Sequence, residues 1–437
     1  MSGSPESARR GSGSEADERY ARAALTYLAE PSDRVLGALI RAHGAARTLA
    51  AIRAGNDPDD AGTLFGDPAG AAAGAGANLG GPAGLERPVI RRAMERWRVR
   101  LAELPTADDV AAFAGSGIRL VCPGDLEWPG QLADLGDEQP YALWLRGQAD
   151  LRFSCLRSVS VVGARAATAY GSYVAAEFAA SVAARGWAVV SGGAFGVDAS
   201  AHQGALAADG VTVAVLACGV DVPYPTAHTE LLEAIAAQGV IVSEWPPGRH
   251  VTRLRFLVRN RVIAALATGT LVVEAGQRSG ALSTARHARD LNRRLMAVPG
   301  PITSDLSAGC HHIIREWQGA LVTSAADVIE FLSPVGALAA PAGPSMLADD
   351  DRPATAGVTT AGAAAGRRKA PPALDRDLLD LESAQVLDAM PRRGGMGTSR
   401  VAQRAGLPPM TAARILGGLA ATGFVERCPE GWRLRRA

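Results

Sequence analysis

Lysine is nearly missing from this chain: among 437 residues there is one, Lys369. A Walker A loop needs Gly-Lys followed by Ser or Thr, because the lysine must reach phosphates that the glycine-rich backbone cradles. Lys369 instead follows Arg368 in a Pro/Ala-rich stretch, which excludes a P-loop nucleotidase. A Schiff-base lysine fares no better. Cysteine is scarce and scattered. Cys122, Cys155, Cys218, Cys310 and Cys428 form no Cys-x-x-Cys and leave an odd total, which argues against a disulfide framework or a zinc site and fits a reducing cytosol. The pair His311-His312 beside Cys310 lacks a second ligand cluster at zinc spacing, so no metal or other cofactor is expected. No run of about 18 uncharged apolar residues occurs, and the Ser/Gly-rich start has no apolar signal region. The sequence therefore reads as cytoplasmic, with neither a signal peptide nor a membrane span.

Hydrophobic residues make up 48% of the chain, enough for a real core, and the length suits about three domains. Residues 1–16 read as a disordered tail. Residues 17–54 carry apolar positions at helical spacing (Tyr20, Leu25, Leu28, Val35, Leu36, Leu39, Ile40), broken at Pro31-Ser32, and form a small helical module, SAM-like or helix-hairpin-helix-like. Residues 55–86 are a Gly/Ala-rich insertion with little to bury, and residues 87–116 resume the helical pattern. From residue 117 to 333, short β-branched runs alternate with helical stretches. That alternation predicts an α/β fold, an extended Rossmann-like, doubly wound and mainly parallel sheet whose ligands lie beyond the carboxyl ends of its strands. Residues 334–372 read as a Pro/Ala/Gly-rich linker and residues 373–437 as a winged helix, with a wing around Glu430-Gly431. Its third helix, Met410 to Ala421, carries only Arg414 among small apolar residues, so a protein-contact role competes with base readout.

Net charge is +1, yet between Arg249 and Arg294 ten arginines stand against Glu274 and Asp290, an excess of eight. Such a segment suits a polyanion. The predicted strand tips carry glycine turns: Gly163-Ala164-Arg165 after the first parallel strand and Gly192-Gly193-Ala194 after the second. Each could turn backbone amides toward an anion at a helix start. The acidic residue that would hold a ribose in a dinucleotide enzyme is absent, since Ser191-Gly192 occupies its place. Asp198 and His202 share one helix face and could form an acid-base pair, although a structural hydrogen bond or helix cap is the better explanation. Around Phe256, Arg259, Asn260 and Arg261, an aromatic beside guanidinium groups suits phosphate neutralisation and base stacking, or else a buried ion network at the helix expected from Arg259. Ser279-Gly280 opens another helix with free amides, and Glu274 is expected to fix a nearby arginine.

In order along the chain, Gly163-Ala164-Arg165, Ser191 to His202, LACGVDVPYP (Leu216 to Pro225), Ser243-Glu244, FLVRNR (Phe256 to Arg261), Val273 to Ala285 and Val298-Pro299-Gly300 resemble the DNA-processing protein A family, also called DprA or Smf. The resemblance covers Gly117 to Leu332 strongly. It implies a non-catalytic homodimer that binds single-stranded DNA, protects it, and loads RecA during recombination and natural transformation. Carried over residue by residue, it places DNA contacts at Gly163, Ala164, Arg165, Gly192, Gly193, Ala194, Phe256, Arg259, Asn260, Arg261, Ser279 and Gly280. Leu257 departs from the family's usual proline, His311 from its usual asparagine, and Glu316-Trp317-Gln318 is slightly lengthened. Two other classes compete. A nucleoside-phosphate hydrolase of the lysine-decarboxylase-like fold would need Pro-Gly-Gly-x-Gly-Thr-x-x-Glu, where this chain has Gly276 to Ala281. A winged-helix transcriptional regulator would need sequence-selective duplex binding. Since every basic and glycine motif falls within 117–333, that fragment is expected to bind single strands alone.

Overall fold

The computed structural model describes residues 5–54, 85–333, 385–387, 389–391, 395–421, 425–428 and 431–434. The insertion at 55–84, the linker, and most of the first winged-helix segment lie outside the described residues. Two compact units emerge, Met1–Ala339 and Ala340–Ala437.

The first unit begins with helices α1 (Pro5–Leu28), α2 (Arg34–His43) and α3 (Ala45–Ala54). The break expected at Pro31-Ser32 is present because the Asp33 carboxylate accepts from the Val35 and Leu36 amides and starts α2 afresh. Helix α1 starts inside the stretch expected as a tail. Its Glu18 pairs with Arg22 one turn on and accepts from the Ala45 and Ala46 amides, tying α1 to the start of α3. Helices α4 (Arg87–Arg98) and α5 (Ala107–Ala112) complete the module, the latter with a Thr106/Asp109 capping box. Leu25, Leu36, Leu49, Ile52, Ile90 and Trp97 form its core.

Next come β1 (Ile118–Val121), β2 (Leu143–Gly147), α6 (Leu151–Leu156), β3 (Ser158–Val162), α7 (Ala169–Ala183), β4 (Ala188–Ser191), α8 (Val197–Ala207) and β5 (Thr212–Val215). They are followed by α9 (Thr229–Gln238), β6 (Val240–Ser243), α10 (Arg253–Leu266), β7 (Gly269–Val272), α11 (Ala281–Asp290), β8 (Arg294–Ala297), α12 (Ala308–Glu316), β9 (Ala320–Leu321) and α13 (Ala325–Leu332). The nine strands form one sheet in the order β1-β2-β6-β5-β4-β3-β7-β8-β9. From β6 to β9 all neighbours are parallel, and β2 runs antiparallel to both β1 and β6. The fold is therefore the extended, mainly parallel Rossmann-like sheet expected. Alternation within the strands sorts side chains between two faces. Val159, Val161, Leu271 and Met296 pack on α7, α8 and α13. Val162, Val190, Val213, Val215 and Val272 pack on α10, α11 and α12.

Helix α10 starts at Arg253, six residues before the start at Arg259 that the sequence pattern predicts. Thr252 is extended and ends the loop, and no proline removes an amide or blocks the turn between Arg253 and Arg259. The Arg253–Arg261 segment is thus helical throughout.

In the second unit, α14 (Thr398–Ala405) and α15 (Pro409–Ala421) precede the antiparallel pair β10 (Val425–Cys428) and β11 (Gly431–Leu434). Val386, Met390, Val401, Ile415, Leu416, Leu419 and Val425 form its core, and the Trp432 indole N–H donates to the Thr398 hydroxyl. Two helices followed by a wing match the winged-helix expectation. No single helix among the described residues is long and apolar enough to cross a membrane.

Candidate functional site

Strand β3 is where the winding reverses: β4 lies on one side of it and β7 on the other. Helix α7 leaves β3 over one face of the sheet, whereas α11 follows β7 on the opposite face. In sheets wound this way the ligand crevice lies above the carboxyl ends of the strands at that reversal, here β3 and β7. The sequence-predicted residues converge on this edge, but at different depths.

At the β3 tip the Ala164 amide donates to the Glu274 carbonyl (2.7 Å) and the Ala164 carbonyl accepts from the Val197 amide. Gly163 is packed against Val197. The amides expected to meet an anion here are therefore partly committed to joining the tips of β3, β7 and α8. Arg165, by contrast, is exposed, and its guanidinium lies 4.7 Å from the Phe256 ring centroid. Half-buried Phe256 also packs on Tyr224, centroid to centroid 5.7 Å.

At the β4 tip the buried Asp198 carboxylate accepts from the Gly192 amide (3.1 Å) and the Ala194 amide (3.4 Å). Gly193 has φ of 69° and its carbonyl meets His228 Nδ1 at 3.0 Å. Burial pushes the Asp198 carboxyl up, while Arg259 and the two amides oppose that shift. His202 does not pair with Asp198. It is fully buried, with Nδ1 at 2.7 Å from the Thr212 hydroxyl, and burial lowers it to about 3. Because the Thr212 hydroxyl donates to the Val189 carbonyl, Nδ1 must carry the imidazole proton. An acid-base pair open to substrate is not formed here.

From α10, the Arg259 side chain reaches under the β4 glycine loop to the end of β5. It is 4% exposed, donates from Nη1 to the Val215 carbonyl at 2.5 Å, and leaves Nε buried without a partner. A Cβ on Gly192 would fall 2.0 Å from this guanidinium, so glycine there is a matter of space. Burial lowers Arg259 to about 10, which still leaves it charged at neutral pH. No carboxylate among the described residues pairs with it within 4.0 Å. Asn260 is also buried and donates to the Gly280 carbonyl at 3.3 Å, fixing the loop before α11. Arg261 faces away from the crevice. At 1% exposure it forms a bidentate pair with Glu244 (2.5 and 2.7 Å) and donates to the Glu138 carbonyl. Of the two readings that the sequence left open, Arg261 takes the buried ion network.

At the β7 tip, Glu274 meets no arginine among the described residues. It accepts from the amide (2.9 Å) and hydroxyl (2.6 Å) of Thr168, whose own hydroxyl caps α7. Ser279 Oγ accepts from the Ala281 amide, and Gly280 is exposed with open space where a Cβ would stand. Arg278 beside it is exposed. The arginine-rich segment as a whole is less positive in space than in sequence. Arg249, Arg255, Arg261, Arg289 and Arg293 pair with Glu103, Glu30, Glu244, Asp290 and Asp134.

The edge also gathers Phe195 and Thr168, which are not among the predicted site residues. Phe195 stands partly exposed between the β4 glycines and α8, its ring edge-to-face with His228 at 4.6 Å. Thr168 completes the β3 turn with Glu274. The signals existed, namely a large apolar residue inside a glycine loop and a threonine three positions before Gly171 at a helix start.

Comparison with known proteins bears on this arrangement. The DNA recombination-mediator protein A family matches residues 119–333, and the IclR helix-turn-helix domain matches residues 383–429. A DNA processing protein DprA of Mycobacterium tuberculosis is 44% identical over 346 residues, covering 76% of this chain and 80% of that protein. The DNA processing protein DprA of Streptococcus pneumoniae is 40% identical over 204 residues, covering 46% of this chain and 70% of that protein. The X-ray structure of DNA processing protein A from Streptococcus pneumoniae superposes with a TM-score of 0.54 at 28% identity, covering 72% of this chain and 97% of that one.

Proposed function

The chain belongs to the DNA-processing protein A family, and on that premise we propose that it binds single-stranded DNA without chemistry of its own, in the crevice above β3 and β7. The observation that carries this reading is the exposed Arg165 guanidinium held over Phe256 above the buried Arg259 cation. Arg165 meets phosphate directly, while Arg259 supplies positive potential from beneath the β4 glycine loop in a setting that water screens poorly. Gly163, Ala164, Gly192, Gly193 and Ala194 form the close-packed floor. Ser279 and Gly280, set in place by Asn260, give a second phosphate approach at the start of α11. Arg261 acts at one remove by anchoring α10. Such a site reads backbone and stacked bases, so affinity is nearly independent of sequence and falls with salt.

The family further supports a homodimer through the main unit, loading of RecA onto the bound strand, and a role in recombination and natural transformation. Titration with oligothymidylate, a duplex of equal length and mononucleotides, each at several salt concentrations, tests the central reading. Salt-sensitive binding of the single strand without mononucleotide turnover is expected. Turnover of a nucleoside phosphate would replace this reading with an enzyme. Sequence-selective duplex binding, the outcome that the IclR-type match would favour, would move the activity to the winged helix. Sedimentation at tens of micromolar tests the dimer, and the rate of RecA filament formation on single strands tests the loading.

A further inference from the structure

We propose that Phe195, braced by His228, is a base-stacking residue of the single-strand crevice. This inference rests on the single-strand reading above. Phe256 was the aromatic that sequence pointed to, but its ring already carries the Arg165 guanidinium at 4.7 Å and packs against Tyr224. A base could take that face only by displacing the cation that meets the phosphates. Phe195 is placed differently. It is 39% exposed on the loop that closes β4, and Gly196 next to it has φ of 76°. A Cβ on Gly196 would lie 2.3 Å from the Ala164 carbonyl oxygen and 2.4 Å from that of Arg165, so the two strand tips touch at this point. The backbone that carries Phe195 therefore lies beside that of Arg165 on the same edge.

The ring is also held. His228 Nδ1 lies 3.0 Å from the Gly193 carbonyl, an acceptor, so Nδ1 carries hydrogen and donates to it. That bond fixes the imidazole from the turn ahead of α9, and the imidazole meets Phe195 edge-to-face at 4.6 Å. In either version of that geometry at least one face of the Phe195 ring stays clear of His228. An exposed, pre-oriented aromatic next to a phosphate-binding cation has the composition of a single-strand stacking platform, because every unpaired base offers a π-face.

The test compares Phe195→Ala, Phe195→Leu and Phe195→Tyr with the unmodified full-length protein, against oligothymidylate and against an abasic deoxyribose-phosphate strand of equal length. Loss of one stacking contact should weaken oligothymidylate binding about tenfold in the Ala and Leu variants and leave abasic binding and the salt slope unchanged. The Tyr variant should bind as the unmodified protein does. The Leu variant keeps apolar contact with His228, and an unshifted melting temperature shows that its loss is not unfolding. Equal weakening on both strands, or unchanged oligothymidylate binding by Phe195→Ala, overturns the inference while leaving the single-strand reading in place. An unmodified protein that binds neither strand overturns the single-strand reading and takes this one with it.

Discussion

Arg165 and Arg261 have the same side chain and opposite surroundings, and substitution should separate them cleanly. Arg165→Ala removes an exposed cation whose main protein contact is the Phe256 ring. It should weaken single strands of every sequence alike, flatten the salt slope by about 0.7, and leave thermal stability alone. Arg261→Ala strands the Glu244 carboxylate in the interior, 3% exposed. A broken buried pair costs about 3–5 kcal/mol, so a large drop in melting temperature is expected there. If Arg165→Ala unfolds the protein while the salt slope of the folded fraction stays the same, Arg165 is structural. His202 gives a prediction in pH. Its imidazole resists protonation down to about 3 in the fold because burial penalises the cation, whereas an unfolded histidine protonates near 6.5. Between those values the unfolded chain holds more protons, so stability is lost as pH falls from about 6.5 toward 3 and is unaffected above that window. His202→Asn can keep a donor near Nδ1 for the Thr212 hydroxyl without the titration. Its melting temperature should fall less than that of the unmodified protein between pH 7 and 4, and parallel curves would refute the assignment.

At the scale of elements, the turn from β3 into α7 is set by a pairing that no local sequence rule reveals, Thr168 with Glu274. Gly171 lies on the first turn of α7 against that carboxylate, where a Cβ would come 2.1 Å from Oε2. Gly171→Ala must push Glu274 aside, with an overpacking cost of about 1–3 kcal/mol. Because the displaced turn carries Arg165, affinity should fall along with stability. Gly280→Ala is the contrast, since that residue has φ of −59° and nothing within 4 Å of a built Cβ. It should leave the melting temperature unchanged or slightly raised. Loss of single-strand affinity at Gly280 alone would then mark a phosphate approach, and unchanged affinity would remove α11 from the crevice. The same comparison shows why the strands were legible and the site only partly so. Runs such as Val159 to Val162 and Val240 to Val242 are buried on both faces, and that burial is written in adjacent residues. The role of Glu274 depends on Thr168, more than a hundred positions earlier, and α13 went unread although Ser324 and Asp327 form its capping box.

At the scale of the whole molecule, charge read along the chain misled for the same reason. Acids at Glu30, Glu103 and Asp134 cancel arginines at Arg255, Arg249 and Arg293. Domain boundaries drawn by composition face the same limit. The boundary at residue 117 separates helices from sheet, yet Met1–Ala339 is one compact unit. Trp144 on β2 is fully buried beneath Tyr27 and Phe113, and its indole N–H donates to the Thr26 hydroxyl. Trp245 and Arg255, close to the start of α10, both donate to Glu30. A fragment from Gly117 to Ser333 would expose Trp144, strip Arg255 of its carboxylate, and uncover Ile118 and Leu120 on β1. Each large apolar side chain returned to water costs about 1.5–3 kcal/mol, and a whole domain is stable by only about 5–15 kcal/mol. The fragment should therefore melt early or fail to fold, in contrast to the expectation drawn from the position of its motifs. Removing the second compact unit, residues 340–437, breaks none of these contacts. A protein ending at Ala339 should keep its melting temperature and its oligothymidylate affinity. Near-ultraviolet circular dichroism and a salt titration on both truncations decide the matter. Cooperative unfolding of the 117–333 fragment at the temperature of the intact chain would mean that the helical module only rests on the sheet, and that Glu30 has no part in holding α10 at the crevice.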